Sequence, residues 1–471
     1  MTKLVNALRQ KDTVTENGMV TNSSSLNNCV DLFFQIGAMR GKGKNTVISA
    51  FSKAFNENPL VALRLLFWVR DIRGGAGERQ IFRDILKDYL ANDYTEMVVK
   101  NTHLISEFGR WDDVLVLIGT SAESKALDLI VEALGKKDGL CAKWMPRKGS
   151  VANTIRKRMG LTPKEYRKTL VELTHVVETA MCSKKFDSIN YEHVPSLAMS
   201  RYLKAFGRND ATRFGEYIKK LEKGEVKINA GALYPYDVIK SLRFDGNAKA
   251  CQGQWDALPN YLEGNESERI LPMCDVSGSM SCAAGGNANL TCMDVCLSLG
   301  LYISERNEGP FKDAFLTFSA RPALQYLNGP LKDRLNQLQR AQWDMNTDLE
   351  KAFDVLLAQA VKHNVPANEM PTMILILSDM EFDQASDYNS TAQEMIRAKY
   401  VAAGYELPKI VYWNLNARNS NFPVRFNEEG TALVSGFSPS ILKNLLAGKD
   451  MTPESIMLDV VNSERYAPVQ I

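Results

Sequence analysis

The sequence predicts a protein of two parts, a helical first half followed by a doubly wound α/β second half. Helical patterns succeed one another from Val30, and strand signals are scarce before residue 270. Beyond that point, apolar runs typical of buried strands alternate with helical stretches, which is the pattern of a parallel sheet covered by helices. A polar segment at 252–268 separates the two patterns. We therefore expect a helical domain over 1–262 and an α/β domain over 263–471.

In the first half, helical stretches joined by short loops predict either an α-solenoid or a helical bundle. Asn58 followed by Pro59 is typical of a helix start, because asparagine caps free backbone N–H groups and proline fits the first turn. The run after Pro59 is apolar around most of its helical surface, which predicts a helix buried between neighbours. Residues 12–30 are polar and turn-rich, so we predict a loop with little regular structure there.

In the second half, strand and helix patterns alternate up to residue 447. We predict strands at 270–276, 312–319, 323–327, 372–378, 409–414 and 431–435. We predict helices at 288–305, 331–341, 348–362, 390–403 and 438–447. The remaining tail, up to Ile471, is expected to pack back on the helical part.

Composition indicates a soluble protein. The chain has 471 residues, of which 45% are hydrophobic and 24% charged, which is ordinary for a globular protein. Because no apolar run reaches about 18 residues, we expect no membrane span. The first residues lack the apolar core of a signal peptide. The eight cysteines show no CxxC pairing, which favours reduced cysteines and a cytoplasmic location.

The net charge of +2 is unevenly divided along the chain. Residues from Glu263 onward contain 17 Lys and Arg against 26 Asp and Glu, whereas the residues before it contain 40 basic and 29 acidic side chains. The segment 141–170 holds nine basic residues against one acid, with Trp144 and Tyr166 interleaved. Such a stretch favours phosphate contacts and base stacking in nucleic-acid binding, although a solvated helical face has the same composition. The nine candidate residues are Lys143, Arg147, Lys148, Arg156, Lys157, Arg158, Lys164, Arg167 and Lys168.

Oxygen-bearing side chains follow two of the predicted strands. Asp275, Ser277 and Ser279 come at alternate positions after the first strand, so their side chains can converge on one point. Asp379 follows another buried strand, and a polar loop at 343–348 opens a helix. Ligands of parallel sheets gather at the carboxyl ends of the strands. Because these side chains supply only oxygen, they suit Mg²⁺ or another hard divalent cation.

The order of these motifs, Asp-x-Ser-x-Ser, then Thr, then Asp, resembles the metal-ion-dependent adhesion site of von Willebrand factor A domains. The resemblance implies a metal site in the second half. Its residues would be Asp275, Ser277, Ser279, Thr347 and Asp379.

The chain as a whole resembles the Ro autoantigen (TROVE) proteins, and more closely a related, largely uncharacterised family found in plants and viruses. The strings that carry this resemblance include FFQIGAMRGKG, RDIRGGAGERQIFRDIL, AKWMPRKGS, CDVSGSM, LSDMEFD and YWNLN. The resemblance implies a HEAT-like helical part, a von Willebrand factor A-type domain and RNA as a partner.

Three functions are open from the sequence. The first is a non-enzymatic RNA-binding scaffold with a Mg²⁺-dependent ligand site. The second is a Mg²⁺-dependent protein-interaction module without RNA, whose partner donates an acidic side chain to the metal. The third is an enzyme, but the four histidines are isolated and no nucleophile elbow is present, so we predict no catalytic residues.

Overall fold

The computed structural model describes residues 12–243, 247–265, 267–286, 289–318, 321–340, 347–386, 389–447 and 451–471. The chain divides into two compact units, each made of three segments. The sheet unit comprises Met1–Lys42, Tyr234–Lys240 and Asn260–Val461, and the helical unit comprises Gly43–Leu233, Ser241–Pro259 and Asn462–Ile471. Three stretches that the sequence assigned to the helical domain therefore belong to the sheet unit, namely the segment ending at Lys42, Tyr234–Lys240 and residues 260–262.

The amino-terminal segment of the sheet unit is short but ordered by pairing. Strands β1 (Thr13–Val14) and β2 (Val20–Thr21) form an antiparallel hairpin, and helix α1 (Asn28–Ile36) follows. Asn27 caps α1 by accepting a hydrogen bond from the backbone N–H of Val30. Isolated bridges attach this segment to the rest of the sheet unit, at Gly18 with Asp383, Val20 with Thr391 and Asn22 with Phe422. The prediction of a loop was thus incomplete, because it missed the hairpin and the bridges. The bridges join residues that are far apart in sequence.

The described residues between 30 and 250 contain no strand, which confirms the helical prediction for this part of the chain. Asn58 caps helix α3 (Pro59–Arg70), as predicted, by accepting a hydrogen bond from the backbone N–H of Val61, and Pro59 occupies the first turn. A π-helical turn at Leu86–Leu90 and a short turn at Ala91–Asp93 extend helix α4 (Arg79–Ile85). The helices are α2 (Lys44–Glu57), α3 (Pro59–Arg70), α4 (Arg79–Ile85), α5 (Thr95–Phe108), α6 (Trp111–Val114), α7 (Glu123–Gly135), α8 (Gly139–Trp144), α9 (Ser150–Arg158), α10 (Pro163–Leu173), α11 (Val177–Cys182), α12 (Ser196–Asn209), α13 (Ala211–Glu222), α14 (Pro235–Arg243) and α15 (Ala248–Asp256).

The six-stranded sheet has the order β5-β4-β3-β6-β7-β8 and is parallel except for the edge strand β5. Its strands are β3 (Ile270–Asp275), β4 (Ala314–Phe318), β5 (Ala323–Tyr326), β6 (Met373–Ser378), β7 (Lys409–Asn414) and β8 (Thr431–Ser435). The accompanying helices are α16 (Cys292–Arg306), α17 (Leu331–Arg340), α18 (Leu349–Lys362), α19 (Ala392–Ala403), α20 (Leu442–Ala447) and α21 (Pro453–Val461). The predicted mixed α/β architecture with a mostly parallel sheet is confirmed.

Burial explains the strand patterns. Every residue of β3 and β6 is buried, as expected for central strands of a parallel sheet, whereas Leu324 and Tyr326 of the edge strand β5 are exposed. Chain order runs outward in both directions from β3 and β6, so strand order reverses between these two neighbours. This is the point at which the carboxyl ends of the strands leave room for a ligand.

Of the tail that the sequence expected to pack on the helical part, only Asn462–Ile471 belongs to the helical unit, and α21 belongs to the sheet unit. Arg465 and Tyr466 both hydrogen-bond the buried carboxylate of Asp71. Of the helices that the structure describes, none is both long and apolar enough to cross a membrane.

Candidate metal centre

The two central strands place a carboxylate and a hydroxyl side by side. Strands β3 and β6 run parallel with Cys274 opposite Leu377, so their last residues, Asp275 and Ser378, are neighbours. The Ser378 hydroxyl donates a hydrogen bond of 2.6 Å to Asp275 Oδ2. Both side chains are fully buried. Asp275 is thus held in place by a residue of the neighbouring strand β6.

The loop after β3 brings two more hydroxyls to Asp275. The backbone N–H of Ser277 donates to Asp275 Oδ1 at 2.9 Å, which curls the chain back toward the strand end. The hydroxyls of Ser277 and Ser279 lie 3.0 Å apart. Ser277 is buried and Ser279 is half-buried. The alternate spacing predicted from the sequence therefore does bring these side chains together.

Asp379 completes a group of four connected residues. It follows β6 directly, and its carboxylate accepts a hydrogen bond from the Ser279 side chain. Its Oδ1 also accepts a hydrogen bond from the backbone N–H of Glu381 at 3.4 Å. Its Oδ2 is buried and accepts no hydrogen bond within the described part of the chain. The nearest cation to this oxygen is the Arg418 guanidinium, with Nη1 3.7 Å away.

Thr347 is linked to the segment that follows Asp379 through the side-chain amide of Asn17. The polar loop predicted at 343–348 falls mostly outside the described residues, which resume at Thr347. Thr347 is buried, and its hydroxyl lies 3.4 Å from Asn17 Nδ2. The same Asn17 amide donates to Glu381 O at 2.7 Å, two residues after Asp379. Thr347 therefore lies at the same edge of the sheet as the other four predicted residues.

The two carboxylates have raised pKa values chiefly because both are buried. Burial, reinforced by the negative charge of Asp379, raises the pKa of Asp275 to about 7, against the opposing effect of the Ser378 hydrogen bond. Burial also raises the pKa of Asp379, although Ser279 and Arg418 favour its charged form. A bound cation would relieve the repulsion between the two ionised groups.

The donor set fits a hard cation. No group of three or more His, Cys, Asp or Glu that could hold a metal is found in the described residues. The five predicted residues instead combine two carboxylates with three hydroxyls. One carboxylate oxygen, Asp379 Oδ2, is buried and has no hydrogen-bond donor in the part of the chain that the structure describes. Oxygen donors with two negative charges match the preference of Mg²⁺.

A hydrogen-bonded cluster around Glu381, two residues after Asp379, was not predicted from the sequence. Glu381 is buried, and burial raises the pKa of its carboxyl group. Its Oε2 accepts the backbone N–H of Glu16 at 2.7 Å, and its Oε1 accepts the side-chain amides of Asn419 (3.0 Å) and Asn421 (2.8 Å). Arg418 further links Glu16 Oε2, 3.5 Å away, to Asp379. These partners are separated from Glu381 by tens or hundreds of residues, so no local pattern indicates them.

The nine predicted basic residues lie in the helical unit, on α8, α9 and α10 and the loops between them. Lys143 and Arg156 are half-buried, and the other seven are exposed. Three of the nine have acidic partners: Lys143 pairs with Glu178, Arg158 with Asp128 and Lys168 with Glu172. Arg156 hydrogen-bonds Asn153 and the carbonyl of Leu161. The segment is therefore a positively charged surface of three successive helices.

The two interleaved aromatic residues do not form a stacking surface. Tyr166 is 1% exposed, and its hydroxyl donates to Pro146 O at 3.2 Å. The prediction that it is available for base stacking is wrong, because the apolar face of α10 requires a core residue at this position. Trp144 is half-buried, and the Arg110 guanidinium lies 3.9 Å from its ring centroid. One face of this indole is therefore already covered by a cation.

Comparison with known proteins matches both halves of the chain. A family model described as "Domain of unknown function (DUF2828)" matches residues 15–134 and 130–265, which together exceed half of the chain. A second, described as "Domain of unknown function (DUF7788)", matches residues 269–467. The chain is also similar to "Uncharacterized protein L728" of Acanthamoeba polyphaga mimivirus. The two are 29% identical over 521 aligned positions, which cover 97% of this chain and 88% of the viral protein.

Proposed function

The chain belongs to the family described as "Domain of unknown function (DUF2828)", and we propose that it is a non-enzymatic binding scaffold with two ligand sites. The sheet unit carries a Mg²⁺-dependent ligand site at Asp275, Ser277, Ser279, Thr347 and Asp379. The helical unit carries an RNA-binding surface on α8, α9 and α10. The observation that carries the proposal is the pair of buried carboxylates, Asp275 and Asp379, at the carboxyl edge of the sheet.

In this proposal, the sheet unit is a von Willebrand factor A-type domain. The reversal of strand order between β3 and β6 and the convergence of Asp275, Ser277, Ser279 and Asp379 support it. Because both carboxylate oxygens of Asp275 are already hydrogen-bonded, one carboxylate and three neutral hydroxyls remain as direct ligands, and they leave part of the charge of a divalent cation uncancelled. A site of this composition therefore favours an anionic ligand, either a carboxylate of a protein partner or a phosphate.

For the helical unit, we propose a HEAT-like array as in TROVE proteins, with RNA as its ligand. Seven exposed basic side chains within one segment of three helices support this part. Arg147, Lys148, Lys157, Lys164 and Arg167 have no acidic partner among the described residues, so their charges are available to phosphates. The burial of Tyr166 shifts the emphasis from base stacking to phosphate contacts.

A Mg²⁺-dependent protein-interaction module without RNA is the second candidate. It is favoured by the distribution of the two sites, since the nine basic residues all belong to the helical unit and the metal residues all belong to the sheet unit. The metal site can therefore act without the basic surface. We also propose a cytoplasmic location, which the eight free cysteines support.

Titration of Mg²⁺ into EDTA-treated protein tests the metal site. We expect saturable binding by isothermal titration calorimetry and its loss in Asp275→Ala. If the variant melts at nearly the same temperature as the wild type, the site serves ligand binding. If it unfolds and Mg²⁺ does not bind to the intact protein, the proposal for the sheet unit is wrong.

Fluorescence anisotropy with labelled single-stranded RNA tests the helical unit separately. Nuclease-treated protein should bind in the absence of Mg²⁺, and log K should fall with log salt by roughly 0.7 per phosphate contact. Binding that is absent at low salt, together with intact Mg²⁺ binding, would leave the protein-interaction module as the function.

A further inference from the structure

Two cysteines of the sheet unit face each other near the candidate metal centre. Cys282 follows the 3₁₀ turn Gly278–Ser281, and Cys292 is the first residue of α16. Between them, Ala283 and Thr291 form an antiparallel bridge. The backbone N–H of Cys292 donates to Cys282 O at 3.1 Å. This register places Cys282 directly opposite Cys292.

The geometry is compatible with a disulfide bond without backbone movement. Residues directly opposite in an antiparallel pair have Cα atoms about 4.5–5.5 Å apart. Disulfides span Cα separations of about 4.4–6.8 Å, so this register falls within their range. The two Sγ atoms are 3.5 Å apart, and both cysteines are free. Rotation of the side chains is enough to bring the sulfur atoms to bonding distance.

The two thiols differ in access. Cys282 is half-buried, and its Sγ accepts a hydrogen bond from Asn416 Nδ2 at 3.1 Å. Cys292 is 1% exposed, and its thiol donates to Leu415 O at 3.8 Å. A reagent in solution therefore reaches Cys282 first, with Cys292 directly behind it. This is the arrangement of an attacking and a resolving cysteine.

We propose that Cys282 and Cys292 form a reversible dithiol–disulfide site that reacts with low-molecular-weight disulfides such as oxidised glutathione. The Cys282 thiol loses its proton to solvent, and its thiolate attacks one sulfur of the small disulfide. This step forms a mixed disulfide and releases one small thiolate. Cys292 then loses its proton and attacks Cys282 Sγ, which forms the internal disulfide and releases the second small thiolate. The protein dithiol is oxidised, the small disulfide is reduced, and the two released thiolates take up the two protons.

The other cysteines provide internal comparisons. Cys274 and Cys296 belong to the same unit, but both are completely buried, so no reagent reaches either one in the folded protein. Cys182, on α11 of the helical unit, is exposed, and its thiol makes no hydrogen bond to a second cysteine among the described residues. We expect Cys182 to stop at a glutathione adduct, whereas the Cys282–Cys292 pair proceeds to an internal disulfide.

The test is treatment of the full chain with oxidised glutathione in mildly alkaline buffer containing EDTA, followed by acid quenching and peptide mass spectrometry. In the wild type, the peptides of Cys282 and Cys292 should become linked, with the loss of two hydrogens and no retained glutathione. Cys292→Ser should stop with one glutathionyl group on Cys282. Cys282→Ser should show neither product, and the matched control Cys182→Ser should still form the internal disulfide.

The time course of the wild type keeps the test decisive if a buried substitution prevents folding. A transient glutathionyl adduct on Cys282 should precede the internal disulfide, and dithiothreitol should reverse the reaction. A stable adduct on Cys282 of the wild type, or no reaction at either residue while Cys182 is modified, would overturn the proposal. Because EDTA is present throughout, the outcome is independent of the metal site.

Discussion

Asp275 and Asp379 are both buried at the carboxyl edge of the sheet, but only Asp275 has both carboxylate oxygens hydrogen-bonded. Its Oδ1 accepts the Ser277 N–H and its Oδ2 accepts the Ser378 hydroxyl. Among the described residues, Asp379 Oδ2 accepts no hydrogen bond and has the Arg418 guanidinium 3.7 Å away. Asp275 is thus held in a fixed orientation, and Asp379 retains an acceptor position for a cation.

We expect Asp379→Asn to abolish stabilisation by Mg²⁺ while leaving the metal-free protein at least as stable as the wild type. The substitution removes one of two repelling carboxylates but keeps a side chain of similar shape. Thermal melts with Mg²⁺ and with EDTA measure both effects. The matched control is Asp354→Asn, since Asp354 is an exposed carboxylate on α18 that pairs with Lys399. A Mg²⁺-dependent shift that persists in Asp379→Asn would contradict the assignment of this residue.

The pH dependence of the metal-free protein should reflect Asp275. Its pKa rises from 3.8 to about 7 on folding, because the carboxyl group is buried next to Asp379. Between these two pH values the folded state binds more protons than the unfolded state, so protonation of Asp275 stabilises the fold. This stabilisation is complete below pH 3.8 and is lost as the pH rises to about 7. Mg²⁺ competes with these protons, so its stabilising effect should grow over the same interval.

The measurement is a series of thermal melts across this pH range, with EDTA and with Mg²⁺. Subtraction of the same series for Asp275→Asn removes the contribution of other titrating groups. A difference between wild type and variant that does not change with pH would show that Asp275 titrates at its ordinary value.

The sequence patterns predicted the sheet well because the parallel strands are mostly apolar, buried runs bounded by turn residues. The predicted and observed bounds of β7, Lys409–Asn414, coincide for this reason. The chain position of the Asp-x-Ser-x-Ser motif after β3 likewise predicted that its side chains converge. The contact of Asn17 with Thr347 spans 330 residues and leaves no periodic signal. The same holds for the assignment of the amino-terminal segment to the sheet unit, which depends on pairings with remote loops.

We expect the exposed part of the basic segment to dominate RNA binding. Simultaneous replacement of Lys164, Arg167 and Lys168 on α10 by alanine should flatten the slope of log K against log salt by roughly 1.4 units, at about 0.7 per phosphate contact for Lys164 and Arg167. Lys168 should add less, because it pairs with Glu172. All three side chains are exposed. A matched control removes three exposed lysines of the same unit, Lys219, Lys220 and Lys223, at the end of α13. Equal changes in the two triple variants would indicate a general charge effect and not a binding surface.

The replacement of Arg156, Lys157 and Arg158 by alanine should have a smaller effect than the α10 variant. Arg158 is already paired with Asp128, and Arg156 is held by Asn153, so these guanidinium groups are less available to phosphates. We expect a change in slope that corresponds to about one contact, from Lys157. A decrease in slope that corresponds to two or three phosphate contacts would show that RNA displaces these intramolecular partners.

Asp71 should be the main attachment of the carboxyl-terminal tail to the helical unit. Its buried carboxylate accepts hydrogen bonds from Arg465 Nη2 at 2.7 Å and from the hydroxyl of Tyr466 at 3.0 Å. Asp71→Ala leaves the buried Tyr466 hydroxyl without its acceptor, so we expect a loss of about 1–3 kcal/mol in the free energy of unfolding. Denaturant titration measures this loss, and hydrogen exchange should show lower protection of residues 466–470.

The control is Lys100→Ala, which removes only an exposed hydrogen bond to Ile471 O and should cost less than about 0.5 kcal/mol. Equal losses in the two variants would mean that the Asp71 network does not anchor the tail.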